Sequence, residues 1–328
     1  MHHLSRLDKA FLRKGIQLSR ANNIVSLSRP SGASARVLLP DELPLEEKAV
    51  TQLLDFAEVK LPDHPGYVRQ TCATPDFHPG NGVPVGAVVA STPDLVIPAA
   101  IGTDISCGMR LLTTGLTLEQ AEAHKDVIAQ RLTQVLLQNE RDVPLSAQAF
   151  TALFDGGLAE EYLQAIGMAA RYAWLNRVTI AEMVRVCLAN LFHQDNSHLV
   201  VDVPHNIILR EHEMNIHRKG ATPARVGNLA LIPGSMGDYS WLAVGCGNPE
   251  WLWSCSHGAG RSQRRQAMRS RATEESTLPW QCVTLREERR FEEAPAAYKD
   301  IGPVIEAQQE AGLIQPAVRF RPWLTFKG

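Results

Sequence analysis

Residues 75–112 read PDFHPGNGVPVGAVVASTPDLVIPAAIGTDISCGMRLL, and this stretch decides the class of fold. Gly and Pro recur between short β-rich runs at 85–90 and 109–112, which predicts strands joined by tight turns, with backbone brought close to something. Toward the N-terminus, LPDELPLEEKAVTQLLDFAEV sets Val50, Leu53, Leu54 and Ala57 at helical spacing behind an acidic entry and predicts a helix over 44–59. Toward the C-terminus, 116–145 and 158–192 are long amphipathic stretches that predict two or three helices, and strand-like runs broken by Pro and Gly return over 199–247. There is no internal repeat and no low-complexity linker. The expectation is an α+β chain: a single mixed α/β domain over 1–328 with a helical insertion at about 115–192.

The 328 residues are 45% hydrophobic and 21% charged, ordinary globular proportions, and numerous enough to form a core without disulfide staples. Lys+Arg at 33 against Asp+Glu at 35 gives a formal charge of -2, which excludes a uniformly basic nucleic-acid coat, so any polyanion site must be local. No window nears the roughly 18 consecutive apolar residues of a membrane span. The start MHHLSRLDKAFLRKG lacks the apolar stretch of a secretory signal. A cytoplasmic protein with no membrane partner is expected. Six cysteines, at 72, 107, 187, 246, 255 and 282, are scattered without a CxxC pair, which speaks against a zinc ribbon or a disulfide framework and predicts reduced thiols.

Four clusters carry candidate chemistry. In Asp104-Ile-Ser-Cys107 a carboxylate and a thiol three residues apart can face one cation. The bland reading makes Asp104 a turn cap and Cys107 a core residue. In Pro204-His205-Asn206, then His212 and His217-Arg218-Lys219, an imidazole beside a loop Pro can ligate metal, and Arg218 with Lys219 can hold phosphate. Any single one of the eleven histidines is more often structural than functional. In Ser254-Cys-Ser-His257-Gly258-Ala259-Gly260-Arg261, small residues let backbone N–H groups approach a phosphate within reach of His257. Arg261, Arg264, Arg265, Arg269 and Arg271 follow on one expected helix, either an RNA-facing field or a solvated face paired with Glu274 and Glu275.

Taken in order, PDFHPGNGVPVGAV (75–88), GTDISCGMRLL (102–112), HNIILRE (205–211), HRKGATPA (217–224), LIPGSMGDYSWLAVG (231–245), HGAGR (257–261), YKDIGPVIEAQQEAGL (298–313) and RPWLTFKG (321–328) resemble the RtcB family of RNA-splicing ligases. The resemblance covers roughly two thirds of the chain. It implies a β-rich core around a deep cleft with surrounding helices. It also implies a GTP- and manganese-dependent ligase that joins RNA ends bearing a 2′,3′-cyclic phosphate or 3′-phosphate to 5′-hydroxyl ends, in RNA repair or tRNA splicing. On that pattern His257 is the nucleophile that takes GMP from GTP, and Asp104, Cys107 and His205 hold Mn2+. Ser235, Ser240, Gly258, Ala259 and Gly260 lie in the nucleotide loops, Tyr298 is the ring that stacks on guanine, and Lys327 reads its edge.

The chain departs from the family between the Asp-x-x-Cys and His-Asn strings. A Gly-Asn-His-Phe segment and a His-Ser-Gly-Ser-Arg-Gly segment are absent, and Phe154-Asp-Gly-Gly-Leu158 runs almost directly into AEEYLQAIGMAARYAWLNR. By the resemblance, the lost stretch would supply two metal-binding His, an Asn and a guanine-contacting carboxylate. His193, His198, His212 or a partner chain could fill in. Two readings follow: an active ligase with fewer metal ions, or a degenerate relative that binds nucleotide or RNA without joining ends.

Overall fold

Eleven residues, Val68–His78, form the strand on which the site is built, and they are buried without a break from Thr71 to Phe77. The computed structural model describes residues 6–60, 62–137, 154–269 and 281–327. An unbroken buried run requires cover on both faces of a sheet. The sheet has seven strands in the order Gln17–Ala21, Ile24–Ser28, Ser34–Leu38, Val68–His78, Val85–Ser91, Met214–Lys219 and Asn206–Glu211. Neighbours are antiparallel except Ser34–Leu38 and Val68–His78, which run parallel. The helix Glu47–Ala57 packs on this sheet through Ala49, Val50, Leu53, Leu54 and Phe56, three residues shorter at the start and two at the end than the spacing predicts. Helix Ile301–Glu310 and strand Ser254–Ser256 also pack against Val68–His78. Val37, Leu53, Phe77, Val88, Trp251 and Val304 belong to one continuous core.

Smaller sheets interleave with the helices. Gly108–Thr113 pairs with His198–Pro204, Ala221–Pro223 with Ser254–Ser256, and Ser240–Gly245 lies between Leu229–Ile232 and Ile314–Phe320. The predicted helical stretch contains Leu118–Ala123, closed by a Thr117–Gln120 capping box, then Lys125–Leu136 and the continuous 37-residue Gly156–Phe192. The result is a mixed α/β domain. Among the described residues, no helix is long and apolar enough to cross a membrane.

Two readings of the basic residues change. Arg218 does not face a ligand: it is fully buried, and its guanidinium donates to Glu211 at 2.8 Å, to Ser254 Oγ at 2.8 Å and to the Leu252 carbonyl at 3.1 Å. Side chains alternate along a strand, so Lys219 can point to the cavity described below only if Arg218 points away. The Arg-rich stretch is not one helix either. Among the described residues of the stretch only Arg265–Arg269 is helical, Arg261 and Arg264 precede it, and Arg271 lies outside the described residues. The hairpin between Asn206–Glu211 and Met214–Lys219 turns through His212 and Glu213, both with positive φ (49° and 55°), the backbone signature of a two-residue hairpin loop. The His212 ring stacks on Trp253 with centroids 3.7 Å apart, which gives it a packing role.

The Glu211–Arg218 pair generates a stability prediction. Burial alone would raise the Glu211 carboxyl, but the Arg218 charge and the hydrogen bonds from Arg218 and Arg225 hold it below its usual range. A depressed carboxyl stabilises fully above its unfolded value, roughly 4.3, and loses that effect as pH falls through the folded value. Arg218→Met should cost about 3–5 kcal/mol in urea unfolding at neutral pH, because Glu211 loses its buried partner. Glu211→Leu combined with Arg218→Met should recover part of the loss. A single variant within 1 kcal/mol of the parent, on the order of experimental scatter, would contradict this packing.

Candidate active site

His257 follows strand Ser254–Ser256, and its Nδ1 lies 2.6 Å from Asp76 Oδ2 and 2.7 Å from the Gly220 carbonyl. A carboxylate and a carbonyl only accept, so Nδ1 carries the proton and Nε2 is left with the lone pair. Asp76 is fully buried and also accepts from Thr74 Oγ1 at 2.5 Å. Burial alone would raise its carboxyl, but the hydrogen bonds from His257 and Thr74 hold it low. Two glycines make this pairing sterically possible. A Cβ on Gly86 would stand 2.9 Å from Asp76 Oδ1, and one on Gly220 would stand 3.1 Å from His257 Nδ1, and both residues have positive φ.

A second wall is built by Asn206. Its Nδ2 donates to the Asp104 carbonyl at 3.0 Å, its Oδ1 accepts from Gly220 N at 2.9 Å, and its own carbonyl accepts from Ser106 N at 2.7 Å. The Asp104–Cys107 turn, with Ser106 at φ 58°, is thereby tied to the backbone that His257 touches. From the long helix, Arg177 reaches the Ser106 carbonyl at 2.7 Å while paired with Asp202. Burial first, then the charge and hydrogen bond of Asp104, push the Cys107 thiol up to about 12. Burial, aided by the charges of Lys219 and Arg177, pushes His205 down to about 2, so its ring is neutral. The His205 and His257 centroids are 4.6 Å apart.

Asp104, Cys107, His205, Asn206, Gly220 and His257 line one cavity of about 590 Å³, together with His78, Asn81, Lys219, Arg261, Arg264 and Arg265. The size is that of a small-molecule site, and the four cations favour a polyanion. Asp104, Cys107 and His205 fit a divalent cation in kind: a carboxylate, a thiol whose titration it influences, and a buried imidazole whose Nδ1 has no hydrogen-bond partner among the described residues. Their convergence is incomplete. Among the described residues, no three His, Cys, Asp or Glu side chains form a group able to hold a metal ion, so a cation here needs further ligands from water or substrate phosphate.

The remaining sequence-predicted residues lie elsewhere. Gly258, Ala259 and Gly260 are buried behind His257, and the Ala259 amide already donates to the Pro233 carbonyl at 3.0 Å, so it is not an open phosphate donor. Ser235 and Ser240 sit in and beside the 233–239 loop and accept from Gly237 N and Gly234 N. The Tyr298 ring carries the Arg261 guanidinium, 5.1 Å from its centroid, and its hydroxyl donates to Glu293. Lys327 lies on Leu324–Lys327, which pairs in parallel with Gln281–Thr284. None of these residues lines the cavity. His193 lies in a groove with Cys187 and Glu182, and His198 is exposed. His217 is structural: its Nε2 accepts from Ile97 N at 2.9 Å and its Nδ1 donates to the Val89 carbonyl. Sequence reasoning missed Asp76, although it stands in the quoted PDFHPG string. A lone Asp within a strand of otherwise buried residues is the signal.

Comparison with known proteins agrees with the resemblance. A family profile described as tRNA-splicing ligase RtcB matches residues 58–157 and 137–328. The RNA-splicing ligase RtcB2 of Escherichia coli is 28% identical, with 91% of this chain and 97% of that protein covered. The RNA-splicing ligase RtcB of Escherichia coli K12 is 25% identical, with 87% and 95% covered. The tRNA-splicing ligase RtcB of Pyrobaculum aerophilum is 37% identical over 52% of this chain and 42% of that protein. The RtcB2 alignment runs over 383 positions, more than the 328 residues available, so gaps open in this chain.

A single divalent cation held at this donor set would owe its affinity to Asp104 and Cys107. Titration calorimetry should show binding weakened by Asp104→Asn and by Cys107→Ser. Binding should also weaken as pH falls, because the raised thiol must lose its proton to ligate. Two tightly bound ions per chain, or affinity unchanged in both variants, would contradict this.

Proposed function

The chain belongs to the RtcB family, and from that premise we propose that it is a GTP-dependent RNA ligase joining 3′-phosphate or 2′,3′-cyclic phosphate ends to 5′-hydroxyl ends. On this reading 1–328 is one RtcB-like domain with the helical insertion at about 115–192. The observation that carries it is the His257 ring, whose Nδ1 proton is held by Asp76 and Gly220. Nε2 is then the free nucleophile. His257 Nε2 attacks the α-phosphorus of GTP, the bond to the leaving pyrophosphate breaks, and a phosphoramidate to GMP forms. The ring keeps its Nδ1 proton and becomes cationic, and the Asp76 carboxylate offsets that charge in the way a buried Asp supports an imidazolium.

A 2′,3′-cyclic end is first opened by water to the 3′-phosphate; an oxygen of the 3′-phosphate then takes GMP as the His257 N–P bond breaks, and the ring returns to neutral. The 5′-hydroxyl attacks the activated phosphorus, its proton passes to solvent, and GMP leaves with the broken P–O bond. Lys219, Arg261, Arg264 and Arg265 bind the phosphates of nucleotide and RNA. Asp104, Cys107 and His205 would hold Mn2+, which supplies charge neutralisation at phosphate oxygens. The second reading, a relative that binds nucleotide or RNA without ligating, is favoured by the lack of a three-donor metal group among the described residues.

Intact mass measurement after incubation with GTP and Mn2+ decides the first step. A GMP adduct is expected on the parent and not on His257→Ala, and Asp76→Asn should slow its formation at least about 100-fold by freeing the wrong tautomer. Adduct on His257→Ala would remove the nucleophile assignment. Adduct without joined RNA ends would select the second reading.

A further inference from the structure

We propose that Lys299 is the positioning residue of the nucleophile: its ammonium pins the carbonyls on either side of Asp76 and so holds the carboxylate at His257. Lys299 Nζ donates to the Pro75 carbonyl at 3.1 Å and to the Phe77 carbonyl at 2.6 Å. Its side chain is buried, at 5% exposure for the residue. These carbonyls need a donor from outside the sheet. The ladder with Val85–Ser91 breaks between Ala73 and His78, and the parallel neighbour pairs only with Cys72 and Ala73. Residues 74–77 are therefore unpaired with either adjacent strand, and buried carbonyls there must be satisfied by other groups.

Lys299 also grips the other partner. Its backbone N donates to the Gly260 carbonyl at 3.0 Å, three residues after His257. One residue thus spans both halves of the Asp76–His257 pair. Burial pushes its ammonium down to about 8, opposed by the charges of Asp76 and Glu46, the anions whose fields it feels.

The role rests on His257 being the nucleophile, so the test keeps the two ideas apart. In 15N-histidine-labelled protein, the His257 Nδ1 proton is assigned by its loss in His257→Ala. Lys299→Met, checked for fold by circular dichroism, should lose that signal. It should also slow GMP transfer about 10- to 100-fold, the size expected from displacing a reacting group by an ångström or less, with KM for GTP unchanged. Lys299→Gln, which keeps a donor, should restore part of both. A folded Lys299→Met with signal and rate intact overturns the proposal, and so does failure of both variants to fold, which would make Lys299 a core residue only. If the parent takes up no GMP, the nucleophile reading fails and the proton signal alone decides Lys299.

Discussion

A carboxylate with no exposure to water is the constraint from which this site follows. Burying an unpaired charge is prohibitively costly, so Asp76 must be surrounded by donors, and its donors are Thr74 and His257. The strand leaves its ladder at 74–77, a local irregularity of the kind that re-aims side chains beside active sites. Gly86 and Gly220 leave room for the two rings of contacts. The pairing then fixes which nitrogen of His257 can react, so a requirement of folding sets a feature of the chemistry.

The same accounting separates structural from chemical cations. Arg218 and Lys219 are adjacent, yet strand alternation sends one into a sealed pair with Glu211 and the other to the cavity wall. Arg261 is divided between the two roles: it lines the cavity, but its guanidinium is bound to the Glu292 carbonyl, Glu293 and the Tyr298 ring. Asn206 does for the second wall what Asp76 does for the first. It spends its side-chain amide on two backbone groups from separate segments, and so ties the Asp104–Cys107 turn to the floor under His257.

The sequence made the site's backbone legible where composition is constrained by geometry. Gly and Pro density over 75–112 pointed to strands and close approach, and the apolar spacing at Val50, Leu53 and Leu54 located the helix under the sheet, because both signals are local. The ordered motif strings imply roles for Asp104, Cys107, His205 and His257 by resemblance, and the structure sets all four on the cavity wall. What stayed hidden was long-range. Nothing near Asp76 in sequence marks a partner 181 residues away, and no local pattern distinguishes buried Arg218 from cavity-facing Lys219 without knowing which sheet face is covered. Tyr298 and Lys327 were assigned by resemblance, and their neighbours, Arg261 and the 281–284 strand, come from distant parts of the chain. Placement of the short Arg265–Arg269 helix likewise depends on where Glu293 anchors Arg265.

The central claim is that the buried Asp76 holds His257 with its proton on Nδ1, leaving Nε2 to take the nucleotide. Nitrogen–phosphorus coupling in protein labelled with 15N-histidine and incubated with GTP and Mn2+ reads this directly. One phosphoramidate is expected, with phosphorus on Nε2 of His257 and the proton retained on Nδ1. Phosphorus on Nδ1, or on any other side chain, would contradict it.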